Sequence, residues 1–159
     1  MLKKALQIAI KAHGNTLDKG GELYFLHPIR VAFGLKTEDE QVVALLHDVV
    51  EDTEYTLVDL IAELDLDLTN MEHQRILVAL YALIREQNVS YSTYINRLLK
   101  FDLYSKKVIL AVKIKDLEDN MNLDRISNPQ QVDFDRVKKY KKYHTKLTKE
   151  YKLLYGGEI

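Results

Sequence analysis

Between Val42 and Thr56 the chain reads VVALLHDVVEDTEYT. His47, Asp48, Glu51 and Asp52 interrupt a dense apolar run as two adjacent pairs, one helical turn apart. On a helix, Val42, Val43, Leu45, Leu46, Val49 and Val50 fall on one broad arc and the four polar residues on the opposite one. Taken alone, the segment reads most simply as the wet face of an amphipathic helix. Three observations shift that reading. The polar face holds three acids and a histidine with no lysine or arginine among them, so its carboxylates repel unless a cation sits between them. In AVKIKDLEDNMNL, Asp116 and Asn120 stand four apart and share a helix face, among apolar Val112, Ile114, Leu117 and Met121. His27 lies immediately before Pro28, at the end of a glycine-bearing stretch. His27, His47, Asp48 and Asp116 thus come from three separate elements. Two imidazoles and two carboxylates suit Mn²⁺, Fe²⁺ or Zn²⁺, and a mixed nitrogen and oxygen set leans toward an octahedral ion such as Mn²⁺. With no cysteine in the chain, neither a thiolate site nor a disulfide framework is open to it.

These residues need a frame. The 159 residues are 47% hydrophobic and 30% charged, which fits one domain with a substantial core over residues 1–159. A formal net charge of −1 supplies no global field for nucleic acid or an anionic membrane. No apolar run approaches the roughly 20 residues that cross a bilayer. MLKKALQIAIKAHG has its apolar residues at helical spacing, and it reads as a first helix rather than a targeting segment. These features fit a cytoplasmic location.

Helix starts are signposted. Thr37-Glu-Asp-Glu40 is a capping box, and Thr56-Leu-Val-Asp59 a shorter version. Thr69-Asn-Met-Glu72 opens a long segment, and Ser90 and Ser105 each suit the N-cap of a following helix. Pro28 suits the first turn of a helix through IRVAFGL. From Phe134 on, Phe134, Val137, Tyr140, Leu147, Tyr151 and Leu154 recur at threes and fours, a last amphipathic helix. No period-two alternation is sustained, so the expected fold is all-α, with about eight helices.

The longest expected loop, Gly14 to Pro28, carries three of the six glycines, and Gly14 suits the end of the first helix. A long ordered loop in a helical domain is more often functional than not. Tyr24 in it is placed either to stack on a base or to pack. His13 reads as a helix-end residue, His73 as exposed and His144 as a packing residue. The lysines of KKYKKYHTK read as a solvated face rather than a nucleic-acid patch.

The pieces DKGGELYFLHPIRVA, ALLHDVVEDTEYTL and VKIKDLEDNMNL, in this order, resemble the HD-domain alarmone hydrolases: the hydrolase domain of Rel/Spo-type (p)ppGpp enzymes and the stand-alone small alarmone hydrolases. YSTYINRLL is similar to the segment before the third motif and RVKKYKKYH to the closing helix, so the resemblance spans nearly the whole chain. It implies a helical HD-domain bundle and one Mn²⁺ on His27, His47, Asp48 and Asp116. It assigns Glu51 and Asp52 to acid–base catalysis, Lys19 to a phosphate and Asn120 to the nucleotide sugar. The implied reaction removes the 3′-pyrophosphate of (p)ppGpp, the stringent-response alarmone. The implied partners are a small-molecule nucleotide, a second copy of the chain and a cognate toxic alarmone synthetase. Asp18 departs from the pattern, because alarmone enzymes commonly carry arginine there. An acid at that place cannot stack on a base as a cation and is expected to repel phosphate, which leaves another nucleotide (ppApp or NADPH) or a non-catalytic regulatory role as alternatives. Asp119 stands for a common histidine, Asn122 for a common arginine and Ile84 for a common threonine.

Overall fold

A computed structural model describes residues 1–157 and 159. Among these residues there are nine helices and no strand: α1 (Leu2–His13), α2 (Leu26–Phe33), α3 (Glu38–Leu46), α4 (Val49–Asp52), α5 (Leu57–Leu64), α6 (Met71–Leu83), α7 (Tyr91–Leu98), α8 (Leu103–Met121) and α9 (Gln131–Tyr155). Helices α3 and α8 run through the middle. Helix α3 packs on α1, α2, α6 and α8, and α8 packs on α2, α3, α6, α7 and α9. Their sequences say why. Val42, Val43, Ala44 and Leu46 of α3 and Ile109 to Val112 of α8 are wholly buried, and helical stretches apolar on every side belong inside. Among the described residues no helix is long and apolar enough to cross a membrane.

The all-helical expectation holds, and the extra helix comes from a break. The expected single helix through His47 and Asp52 is interrupted at His47–Asp48. Both residues keep right-handed backbone angles, φ −61°, ψ −31° and φ −96°, ψ −10°, and α4 resumes with the Asp52 amide on the Asp48 carbonyl at 2.9 Å.

The capping boxes at Thr37 and Thr56 form as their spacing requires, and Ser90 caps α7. Two starts differ. The cap of α6 is Asn70, not Thr69, and that of α8 is Asp102, which accepts from the amides of Tyr104 and Ser105. Asn70 adjoins Thr69 and Asp102 lies three residues before Ser105, and in both cases the better acceptor took the cap. Helix α9 begins at Gln131, so Phe134 lies in its first turns and is exposed, while Leu147 and Tyr151 hold the helix to the core. Gly14, with φ 51°, ends α1 as expected. The loop after it is pinned by an isolated antiparallel bridge between Leu17 and Leu23.

Candidate metal centre and active site

Helix α2 starts immediately after the loop and brings in His27. The α3–α4 break brings in His47 and Asp48, and α8 brings in Asp116. His27 Nε2 lies 3.2 Å from Asp116 Oδ1 and 3.5 Å from Asp48 Oδ2. His47 Nε2 lies 3.2 Å from Asp48 Oδ1 and 3.5 Å from Asp116 Oδ1. Ligand atoms of His27, His47 and Asp48 all fall within 4.8 Å of one another. The four residues singled out in the sequence therefore converge on one point, from three helical elements.

The second nitrogen of each ring fixes what the first can do. His47 Nδ1 is 2.7 Å from the Ala44 carbonyl oxygen, which only accepts, so Nδ1 carries the proton. His27 Nδ1 is 2.7 Å from Asp119 Oδ2, an acid that Arg30 also engages through Nε at 2.7 Å. Both imidazoles thus turn Nε2 toward two carboxylates, the orientation of metal-bound histidine. His47 Nε2 is buried without a hydrogen-bond partner. Two imidazole nitrogens and two carboxylates facing one another fit a divalent cation, and protons are the alternative. Burial pushes His27 down, but the hydrogen bonds to Asp116 and Asp119 outweigh it and lift it to about 9. For Asp119, burial raises the carboxyl, yet His27 and Arg30 hold it well below the usual carboxylate range.

The carboxylates are held from behind. The Tyr24 hydroxyl donates to Asp48 Oδ2 at 2.7 Å, and burial followed by the Asp48 charge keeps that phenol protonated well above its ordinary value. Lys113 Nζ sits 2.7 Å from Asp116 Oδ2, and Asn120 Nδ2 donates to Asp116 Oδ1 at 2.6 Å. Burial opposes the Asp116 charge, and the Lys113 ammonium overrides it, keeping the acid ionised.

Two cavities flank this cluster. One, about 190 Å³, is walled by Asp48, Glu51, Asp52, Arg85, Lys113 and Asp116, among others. The other, about 280 Å³, lies under the loop and is bordered by Lys19, Tyr24, His27, Asn120, Arg125 and Arg136. Glu51 is tied by Oε2 to the Arg85 amide at 3.0 Å. At the rim, partial burial and then the Asp48 charge raise the Asp52 carboxyl. Lys19 is 64% exposed, with Nζ 3.8 Å from Asp133 Oδ1.

Three placements differ from the sequence reading. Asn120 is engaged by Asp116, although it borders both cavities. Asp18 is no free acid facing the site: it accepts from Gly20 and Glu22 amides and takes Arg125 Nη1 at 2.6 Å. His13 is buried, and its ring lies against that of Tyr24, with centroids 4.8 Å apart. The sequence reading gave no role to Lys113, Arg30 or Arg125. Lys113 was legible, because it stands three residues before Asp116 on one helix face. Arg125 and Asp18 are separated by 107 positions, and no local pattern pairs them.

No family model matches the chain. The chain is 37% identical over 75 residues, 45% of its length, to a probable guanosine-3′,5′-bis(diphosphate) 3′-pyrophosphohydrolase of Mycoplasma pneumoniae, covering 10% of that protein. A guanosine-3′,5′-bis(diphosphate) 3′-pyrophosphohydrolase of Aquifex aeolicus is 37% identical over 59 residues, 35% of the chain and 8% of the relative. A GTP pyrophosphokinase of Brucella ovis is 31% identical over 121 residues, 74% of the chain and 14% of the relative. The chain therefore spans about a tenth of the length of the curated relatives it matches. Its fold matches the solved structure of a metazoan SpoT ortholog, described as hydrolysing ppGpp and acting in starvation responses. That match has a TM-score of 0.66 and 21% identity, and covers 96% of this chain and 86% of the other.

Proposed function

We propose that this relative of the Rel/Spo-type alarmone proteins is a Mn²⁺-dependent phosphohydrolase that removes the 3′-pyrophosphate from (p)ppGpp-like nucleotides in the cytoplasm. The observation that carries this reading is the meeting of two imidazole Nε2 atoms, each turned inward by the contact of its ring's other nitrogen, with two carboxylates, one of those Nε2 atoms being buried and unpartnered. On this reading His27, His47, Asp48 and Asp116 hold the ion. When bound, a divalent cation there supplies Lewis acidity and charge neutralisation for a phosphoryl group.

The chain's own residues supply the rest. Lys19 and Arg136 give the 280 Å³ cavity a cationic border for the nucleoside and its 5′-phosphates. Arg85 and Lys113 do the same for the 3′-pyrophosphate in the 190 Å³ cavity. Asn120 stands between the two, where the sugar would lie. Water adds to the phosphorus attached to the ribose 3′-oxygen as that P–O bond breaks. Glu51 orients the water. Asp52, whose raised carboxyl accepts a proton more readily than a free aspartate, takes one from it and returns it to the departing ribose oxygen. One ppGpp and one water give one GDP and one pyrophosphate.

Arg125 neutralises Asp18, which removes the repulsion of phosphate expected from an acid there. A binding-only module does not need an Asp52 carboxyl shifted beside four converging ligands. An alarmone synthetase is the partner class whose product the protein would consume. The test is turnover of ppGpp, ppApp and NADPH by purified protein with Mn²⁺. The expected result is 3′-cleavage of ppGpp ahead of the others. Cleavage of NADPH alone would reassign the substrate, and cleavage of none would refute the catalytic reading.

A further inference from the structure

Asp18 uses both carboxylate oxygens. Oδ1 accepts from the amides of Gly20 and Glu22 at 2.8 and 3.0 Å, shaping the loop that carries Lys19. Oδ2 takes Arg125 Nη1 at 2.6 Å. Arg125 Nη2 donates to the Asp119 carbonyl at 3.2 Å and lies 3.6 Å from Asp119 Oδ2. That same oxygen is 2.7 Å from His27 Nδ1. The backbones are fitted just as closely: a Cβ on Gly20 would fall 2.3 Å from the Arg125 carbonyl oxygen, so the loop rests directly on the segment after α8. The side chains of Asp18 and Arg125 are only 9% and 18% exposed, and a charge left alone in such a setting is costly.

We propose that Asp18 and Arg125 form a clasp that orders the Lys19 loop and the metal ligand His27 together. Both are positioning residues, acting on His27 through Asp119. The proposal rests on the metal centre of the preceding reading. Removing Arg125 leaves Asp119 with Arg30 as its remaining guanidinium and strands the Asp18 charge, so the ring of His27 and the loop loosen at once. The linkage is reciprocal: whatever fixes His27 must also quiet the loop.

The test uses Mn²⁺ alone, titrated calorimetrically into metal-free protein, with hydrogen exchange over residues 14–25 read in parallel. In the wild type, Mn²⁺ slows exchange of the loop by about fivefold or more. Arg125→Gln and Asp18→Asn each weaken Mn²⁺ binding by about tenfold, and in neither does the loop still respond to the ion. The double variant loses no more than either single, because the two act as one unit. Arg125→Lys separates folding from positioning. It keeps a cation beside Asp18 and an ordered loop, but a point charge cannot fork to Asp119, so Mn²⁺ binding stays weak. Unchanged Mn²⁺ affinity in both single variants, additive losses in the double, or a wild-type loop indifferent to Mn²⁺ would each overturn the clasp. A wild type that binds no Mn²⁺ overturns the metal centre and the clasp together. A protein that passes these tests but leaves (p)ppGpp intact contradicts only the proposed reaction.

Discussion

Two imidazole nitrogens and two carboxylates meet around one point, and each ring is turned there by its own second nitrogen. On the proposed reading a proton substitutes for the ion in the metal-free protein, and His27 holds it up to about pH 9. The sign follows. A group raised from its ordinary value near 6.5 adds stability that is fully present below pH 6.5 and fades as pH rises through 9. A metal must displace that proton, so Mn²⁺ affinity should climb with pH between 6.5 and 9 and then level off. Calorimetry in buffers across that range measures it, and a flat profile would contradict the assignment of His27. Tyr24 gives a second prediction at this scale. Tyr24→Phe removes the 2.7 Å hydrogen bond to Asp48 Oδ2 while keeping the ring against His13. Loss of a bond behind a metal ligand typically costs about 10–100-fold in affinity, and the same calorimetric titration should show it with the thermal melt little changed.

At the scale of elements, the site depends on where helices stop. The α3–α4 junction brings two neighbouring residues to one centre, with His47 Nε2 3.2 Å from Asp48 Oδ1 and 3.5 Å from Asp116 Oδ1. The residue types in VVALLHDVVEDTEYT were legible as candidate chemistry; the break was not, because both residues at it keep right-handed angles that no composition signal marks. Capping was legible where a threonine and an acid three residues on form a box, as at Thr37 and Thr56, and misread where a stronger acceptor lay one residue after the expected cap, as at Asn70, or three residues before it, as at Asp102. The Thr37 box anchors the start of the helix that ends at His47. Thr37→Ala should therefore cost about 1 kcal/mol of stability, seen as a lower urea midpoint with an unchanged slope. A fall in the slope instead would mean that the helix start was already loose in the unfolding reference.

Across the whole molecule, the all-helical architecture follows from 3.6-residue periodicity that never gives way to period two. The site draws on elements far apart in sequence, and three of its tethers were invisible at that level: Arg125 to Asp18, Arg30 to Asp119, and Tyr24 to Asp48. Such pairs are made by packing, and a single sequence carries no trace of them. They also change the meaning of a residue. Asp18 looks like a repulsive acid in the sequence and is a neutralised loop anchor in the fold. The central claim is that this bundle exists to place a divalent ion beside a 3′-pyrophosphate. Its most direct test is ppGpp turnover in ¹⁸O-water by wild type and Asp48→Asn, with Mn²⁺ and with chelator. The account predicts GDP and ¹⁸O-labelled pyrophosphate from the wild type only with Mn²⁺, and none from the variant. Equal cleavage by Asp48→Asn, or cleavage undiminished by chelator, would contradict it.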